Sequence, residues 1–178
     1  MFKFPGEAAI KGYFQYLPAI ESVMPLIRND LTESLRAHRD ILRKKYSFTN
    51  PTQLGFIHVR RGDYLKHPDY WCVQTEDYYT FALSLVPRVS RWIVLSDDTE
   101  WCKAQPCFSL CEILSEPDEL VGLALMSLCH GGAIIANSTY SWWGAMLGAH
   151  VSAAPVIYPS KWLHHATPTL FPSTWIRL

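Results

Sequence analysis

No charge of either sign is in excess: sixteen basic and sixteen acidic side chains cancel over 178 residues. No overall field therefore draws the chain to nucleic acid or to an anionic membrane, and any anion site has to be built locally. Apolar runs long enough to approach the roughly 20 residues of a membrane span are missing. The opening Met1-Phe2-Lys3-Phe4-Pro5-Gly6-Glu7 lacks the apolar stretch of a secretory leader, so the chain is expected in the cytoplasm. Gly-x-Gly-x-x-Gly, a Walker A sequence and Gly-x-Ser-x-Gly are absent, which removes the dinucleotide fingerprint, the P-loop and the serine hydrolase elbow. The five cysteines are an odd number without repeated spacing, a pattern of reduced thiols rather than a disulfide framework. Cys102, Cys107 and Cys111 with His130 are within reach of one zinc ion in principle, but the tight paired spacing of structural zinc sites is missing.

What is present is an ordinary globular composition, 49% hydrophobic and 18% charged, and a length that supports a single core. Apolar residues recur every three or four positions over 24–45, predicting one amphipathic helix with Ser22 as a plausible cap. The turn cluster Thr49-Asn50-Pro51-Thr52 precedes a buried strand over 54–59. Thr75-Glu76-Asp77 caps a helix that continues over 78–86 until Pro87, and a second strand covers 92–95. A weaker apolar patch over 107–110 suggests a third. Pro117-Asp118-Glu119 opens a helix that stops at Gly131-Gly132. A strand over 133–136, a helix over 141–148 and a last strand over 156–158 complete the pattern. Strands that are continuously apolar and alternate with helices predict an α/β fold, a Rossmann-like parallel sheet with helices on both faces. In such sheets ligands gather beyond the carboxyl ends of the strands. The first fifty residues, helical and strandless, read as an appendage to a sheet domain over 51–178.

Three polar blocks fall at predicted strand ends. His58-Val59-Arg60-Arg61-Gly62-Asp63-Tyr64 places two guanidinium groups there. Each offers a planar fork of donors that matches phosphate oxygens and can neutralise a diphosphate without a metal. A surface ion pair with Asp63 is the plainer alternative. Arg61-Gly62-Asp63 also spells an integrin-binding tripeptide, a role that its place beside a buried strand argues against. Ser96-Asp97-Asp98 offers carboxylates for Mg²⁺ or Mn²⁺, yet the Asp-x-Asp of metal-dependent sugar transferases occurs nowhere. Capping of the next helix by Ser96 or Asp97, with a ribose or base contact added, is the preferred reading. Asn137-Ser138-Thr139-Tyr140-Ser141 gathers short polar side chains ahead of a helix N-terminus, which suits an anion as well as ordinary capping. Trp142-Trp143 fits the core.

These blocks, with Trp101-Cys102, Leu125-Met126-Ser127 and Cys129-His130, stand in the order and spacing of glycosyltransferase family 11, the α(1,2)-fucosyltransferases. Gly12-Tyr13-Phe14-Gln15 and Phe171-Pro172-Ser173-Thr174-Trp175 also resemble that family, so the likeness spans nearly the whole chain. It implies the C-terminal donor-binding half of a GT-B fold, and a metal-independent, inverting transfer of L-fucose from GDP-fucose to the 2-hydroxyl of a galactose in a glycan acceptor. No cofactor is implied, and family members are expected to associate peripherally with membranes. By this resemblance Arg60 meets the β-phosphate, with His58, Arg61 and Asp63 shaping its loop. Asn137, Ser138 and Ser141 lie on the phosphate side, and Asp97 or Asp98 meets guanosine. The base that takes the acceptor's proton is Asp63 or a residue outside this chain. The half that supplies the acceptor side has no counterpart here. A non-catalytic module that binds a GDP-sugar or glycan is therefore the alternative.

Overall fold

Among the described residues six short segments pair side by side, and the central ones, Leu54–Val59 and Gly132–Ile134, are apolar enough to be covered on both faces. The six are β1 (Leu54–Val59), buried throughout, β2 (Arg91–Ser96), β3 (Glu112–Leu114), β4 (Gly132–Ile134), β5 (Val156–Tyr158) and β6 (Ile176–Arg177). The computed structural model describes residues 16–46, 50–115, 118–165 and 169–178. All five pairings are parallel and the order is β3-β2-β1-β4-β5-β6. Parallel neighbours cannot be joined by a tight turn, so the chain crosses a face of the sheet between strands. It builds outward from β1 to β3, then returns to place β4 on the other side of β1. That reversal defines a Rossmann-like sheet and opens a crevice at the carboxyl ends of β1 and β4.

Alternation along the strands divides the core into two layers. Phe56, Ile93, Ala133 and Ile135 pack with residues of α1 (Leu17–Ser34), α2 (Arg36–Tyr46), α5 (Glu119–Ser127) and α6 (Thr139–Leu147). Ile57, Val59, Val94, Ile134 and Ile157 pack on the other face with Tyr79 and Ala82 of α3 (Glu76–Ser84), Cys102 of α4 (Thr99–Ala104) and Phe108. Met24, Leu35 and Leu42 share the first layer, so the two N-terminal helices help to close the core of the sheet.

Several local expectations are corrected. The helix predicted over 24–45 is two helices that meet at Leu35, which turns into the core at 1% exposure. Ser22 caps nothing. It lies inside α1, its hydroxyl donating to the Ala19 carbonyl at 2.7 Å, while the helix starts at Leu17 with Pro18 in a first turn where a missing N–H costs little. The patch over 107–110 is not a strand: Pro106–Phe108 forms a 3₁₀ turn that buries Phe108 and leaves Leu110 98% exposed, and β3 begins two residues later. Asp118 caps α5 by accepting from the N–H groups of Leu120 and Val121 at 2.8 and 3.1 Å, while Pro117 and Gly12-Tyr13-Phe14-Gln15 lie outside the described residues. Among the described residues no helix is long and apolar enough to cross a membrane.

Candidate active site

Where β1 ends, Arg60 and Arg61 diverge. The Arg60 guanidinium spans two carboxylates, donating to Asp63 Oδ1 at 2.7 Å and to Asp97 Oδ2 at 2.9 Å, and lies 5.3 Å from the centre of the Tyr64 ring. A guanidinium has five N–H donors, so two carboxylates can fix its plane and leave donors for a third anion. Arg61 turns the other way. Its Nε donates to Asp98 Oδ2 at 3.1 Å, its guanidinium stacks 4.1 Å over Trp101, and its backbone N–H donates to Asp97 Oδ1 at 2.9 Å. Gly62 follows them where Asp97 approaches closely: a Cβ there would come within 2.6 Å of Asp97 Oδ2.

A cavity of about 400 Å³ occupies the crevice at the carboxyl ends of the strands. β1 contributes His58 and Arg60 at its exit, and β2 contributes Leu95, Ser96 and Asp97. The start of α6 contributes Ser138 and Tyr140, with Tyr64 and Glu119 completing the wall. Ser138 stands at the N-cap of α6 but its side chain makes no capping bond, so its hydroxyl and the positive end of the helix border the cavity together.

Burial decides the charge state of the lining. His58 is 6% exposed; desolvation first, then the nearby Arg60 charge, bring its pKa down to about 3, so the imidazole is neutral at pH 7. Its Nδ1 is buried without a partner, and its ring meets the Tyr140 ring edge-on at 5.6 Å. Burial pushes the Tyr64 hydroxyl up to about 12, opposed in part by Arg60, and that hydroxyl donates to the Asn137 carbonyl at 3.1 Å. Tyr64 is backed by Trp71, stacked at 4.1 Å.

Of the residues singled out in the sequence, the fold brings His58, Arg60, Ser96, Asp97 and Ser138 to the cavity, with Asp63 on the Arg60 guanidinium. The others lie behind it. Asp98 holds Arg61 and caps α4 by accepting from the Trp101 N–H at 3.0 Å, a role the sequence reading gave to Ser96 or Asp97. Ser96 Oγ instead accepts from the Asp98 N–H at 2.9 Å. Asn137 is buried and donates to the Trp162 carbonyl at 2.7 Å. Ser141 is fully buried, and its hydroxyl is spent on the Ser138 and Ala136 carbonyls at 3.1 and 3.4 Å, within its own helix turn. Tyr64, Glu119 and Tyr140 line the cavity without having been singled out. Tyr64 and Tyr140 sit inside the two quoted blocks, which was the available signal. Among the described residues no three of His, Cys, Asp and Glu gather into a group that could hold a metal ion, the set of Cys102, Cys107, Cys111 and His130 included.

No solved structure matches this chain. Two curated relatives come from Escherichia coli. An O-antigen biosynthesis glycosyltransferase, WbnK, is 32% identical over 169 residues, covering 84% of this chain and 53% of the relative. An alpha-1,2-colitosyltransferase is 35% identical over 121 residues, 60% of this chain and 40% of the relative. The chain thus spans about half the length of the curated relatives it matches. The profile of Glycosyl transferase family 11 matches residues 1–176, nearly end to end, and on that match the chain belongs to glycosyltransferase family 11.

Proposed function

We propose that this chain is the donor-binding half of a galactoside 2-α-L-fucosyltransferase of GT-B architecture, which transfers L-fucose from GDP-fucose to the 2-hydroxyl of a galactose with inversion and without a metal. The observation that carries the reading is the Arg60 guanidinium, fixed by Asp63 and Asp97 at the mouth of the crevice with the N-terminus of α6 beside the same cavity. Family membership supports a sugar transfer, and the name of the colitosyl relative supports the 1,2 linkage.

In this mechanism Arg60 takes the β-phosphate, where negative charge grows as the bond to the sugar breaks. Its position is set in advance by two carboxylates and a ring, so little reorganisation accompanies the reaction. Such a donor is worth on the order of 3 kcal/mol in the barrier. Ser138 and the first N–H groups of α6 meet the same diphosphate. The neutral His58 adds no charge and is available as a hydrogen-bonding partner through Nδ1. The acceptor hydroxyl attacks from the face opposite the departing diphosphate and gives its proton to a base. Asp63 is held by Arg60, and its position suits orienting that guanidinium, so the base is proposed to be a residue other than Asp63.

Titration with GDP in a calorimeter tests the assignment. Arg60→Ala should weaken binding by roughly 100-fold, from the same order of interaction energy, and unchanged affinity would overturn it. A second reading, binding without transfer, is favoured by the chain's covering about half of its relatives. Turnover of GDP-fucose with lactose by this chain would reject that reading, and a colitose donor serves as the competing substrate.

A further inference from the structure

The lining of the cavity does not end at its phosphate side. Besides Arg60 and Ser138 it includes Leu95 and Ser96 at the exit of β2 and Glu119 in the first turn of α5. The neighbouring acids are already engaged. Asp97 accepts from Arg60 and from the Arg61 N–H, Asp98 from Arg61 and the Trp101 N–H, and Asp63 from Arg60. Glu119 differs, since its carboxylate holds no hydrogen bond or ion pair among the described residues. Only its backbone carbonyl is used, accepting from Tyr140 Oη at 2.8 Å. That bond ties the Tyr140 side chain to the start of α5, and both residues line the cavity. His58, 94% covered and with an unpartnered Nδ1, meets the same ring. A buried polar atom left without a partner costs stability unless a ligand satisfies it.

A fixed cation, an aromatic side chain and a carboxylate free of protein partners around one cavity fit a nucleoside diphosphate whose base presents donors. We infer that Glu119 reads that base, and does so through the adjacent N1–H and N2–H₂ donors of guanine, which a carboxylate accepts as a pair. Uracil offers one N–H between two carbonyls, and adenine sets its amino group beside an acceptor nitrogen, so neither presents that pair. The inference rests on the nucleotide-sugar reading above and moves base recognition from Asp97 or Asp98 to Glu119. Asp97, whose oxygens both hold the arginine loop, is left to border the ribose.

Inosine diphosphate lacks only the 2-amino group, which makes it the discriminating probe. Calorimetry with GDP, inosine diphosphate and UDP should show the unaltered chain binding GDP roughly 10-fold or more tighter than inosine diphosphate, as expected for one charge-assisted hydrogen bond. Glu119→Ala should weaken GDP and bring the two purine nucleotides to equal affinity, and Glu119→Gln should fall between. Arg60→Ala should weaken both alike and leave their ratio standing. GDP binding with a GDP-to-inosine-diphosphate ratio that Glu119→Ala does not move would overturn the Glu119 assignment alone. Binding of none of the three nucleotides by the unaltered chain would overturn the nucleotide-sugar reading and this inference with it. Glu119 is exposed, so neither variant disturbs the core.

Discussion

Lowering the pH should destabilise this protein through His58 in a way that one substitution removes. The ring is 6% exposed, Nδ1 has no partner, and burial together with Arg60 holds the pKa at about 3 instead of 6.5. Between those two values the unfolded chain binds a proton that the folded chain refuses. Stability from this group is therefore fully present above pH 6.5 and is lost progressively as pH falls toward 3. At pH 5 the unfolded imidazole is 1.5 units below its pKa, and at about 1.4 kcal/mol per unit the loss is about 2 kcal/mol relative to pH 7.5. Urea unfolding of the wild type and of His58→Phe at both pH values isolates the effect. His130 and His150, whose pKa values burial also lowers, are common to both proteins and cancel in the difference. The wild type should lose about 2 kcal/mol more than the variant over that interval. Equal losses would refute the reasoning, because they would mean that the folded His58 takes up its proton as readily as the unfolded one.

Two further substitutions probe the framework around the cavity. Gly62→Ala drives a Cβ toward Asp97 Oδ2, the oxygen that accepts from Arg60, so GDP affinity should fall roughly 10-fold for one displaced charge-assisted bond; calorimetry with unchanged affinity would contradict this. Gly144→Ala puts a Cβ 2.7 Å from Met126 Cβ where α6 packs on α5, and overpacking of that kind should cost about 1–3 kcal/mol in urea unfolding.

Sequence reasoning found the strands where an unbroken apolar run leaves one option. β1 and β5 form over the residues predicted, and β2 is longer by one residue at each end. It failed where packing outweighed local pattern. The periodicity over 24–45 continues through Leu35, yet the chain turns there to bury that side chain in the sheet's own core. Cys107 and Phe108 look like a strand until Pro106 starts a 3₁₀ turn that sends Phe108 inward. β6, two exposed residues, carries no periodic signal at all. At the site, motif position pointed to Arg60, His58 and Ser138, which line the cavity, but could not say that the Ser141 hydroxyl would be spent on the Ser138 and Ala136 carbonyls. Glu119 and Tyr140 were missed for a different reason. They join His58 in the cavity lining only after the strand order brings the starts of α5 and α6 to the exit of β1.

The division of labour between the two arginines follows from strand register. β1 and β2 are parallel, and the last paired residues are Val59 and Ser96. One step beyond them Arg60 meets Asp97, and one step further Arg61 meets Asp98. The first pair lines the cavity, while Arg61 turns to Asp98 and Trp101 and holds the loop from behind. A single-residue slip would leave one arginine opposite Ser96 or Thr99 instead of a carboxylate, so the parallel register gives two adjacent, chemically identical side chains different tasks. These pairs add little to folding: with side chains 16–33% exposed for the arginines and 25–58% for the carboxylates, each is worth roughly 0–1 kcal/mol. Their value lies in fixing the direction of the Arg60 guanidinium before an anion arrives. Replacing Arg60 should accordingly weaken ligand binding far more than it weakens the fold.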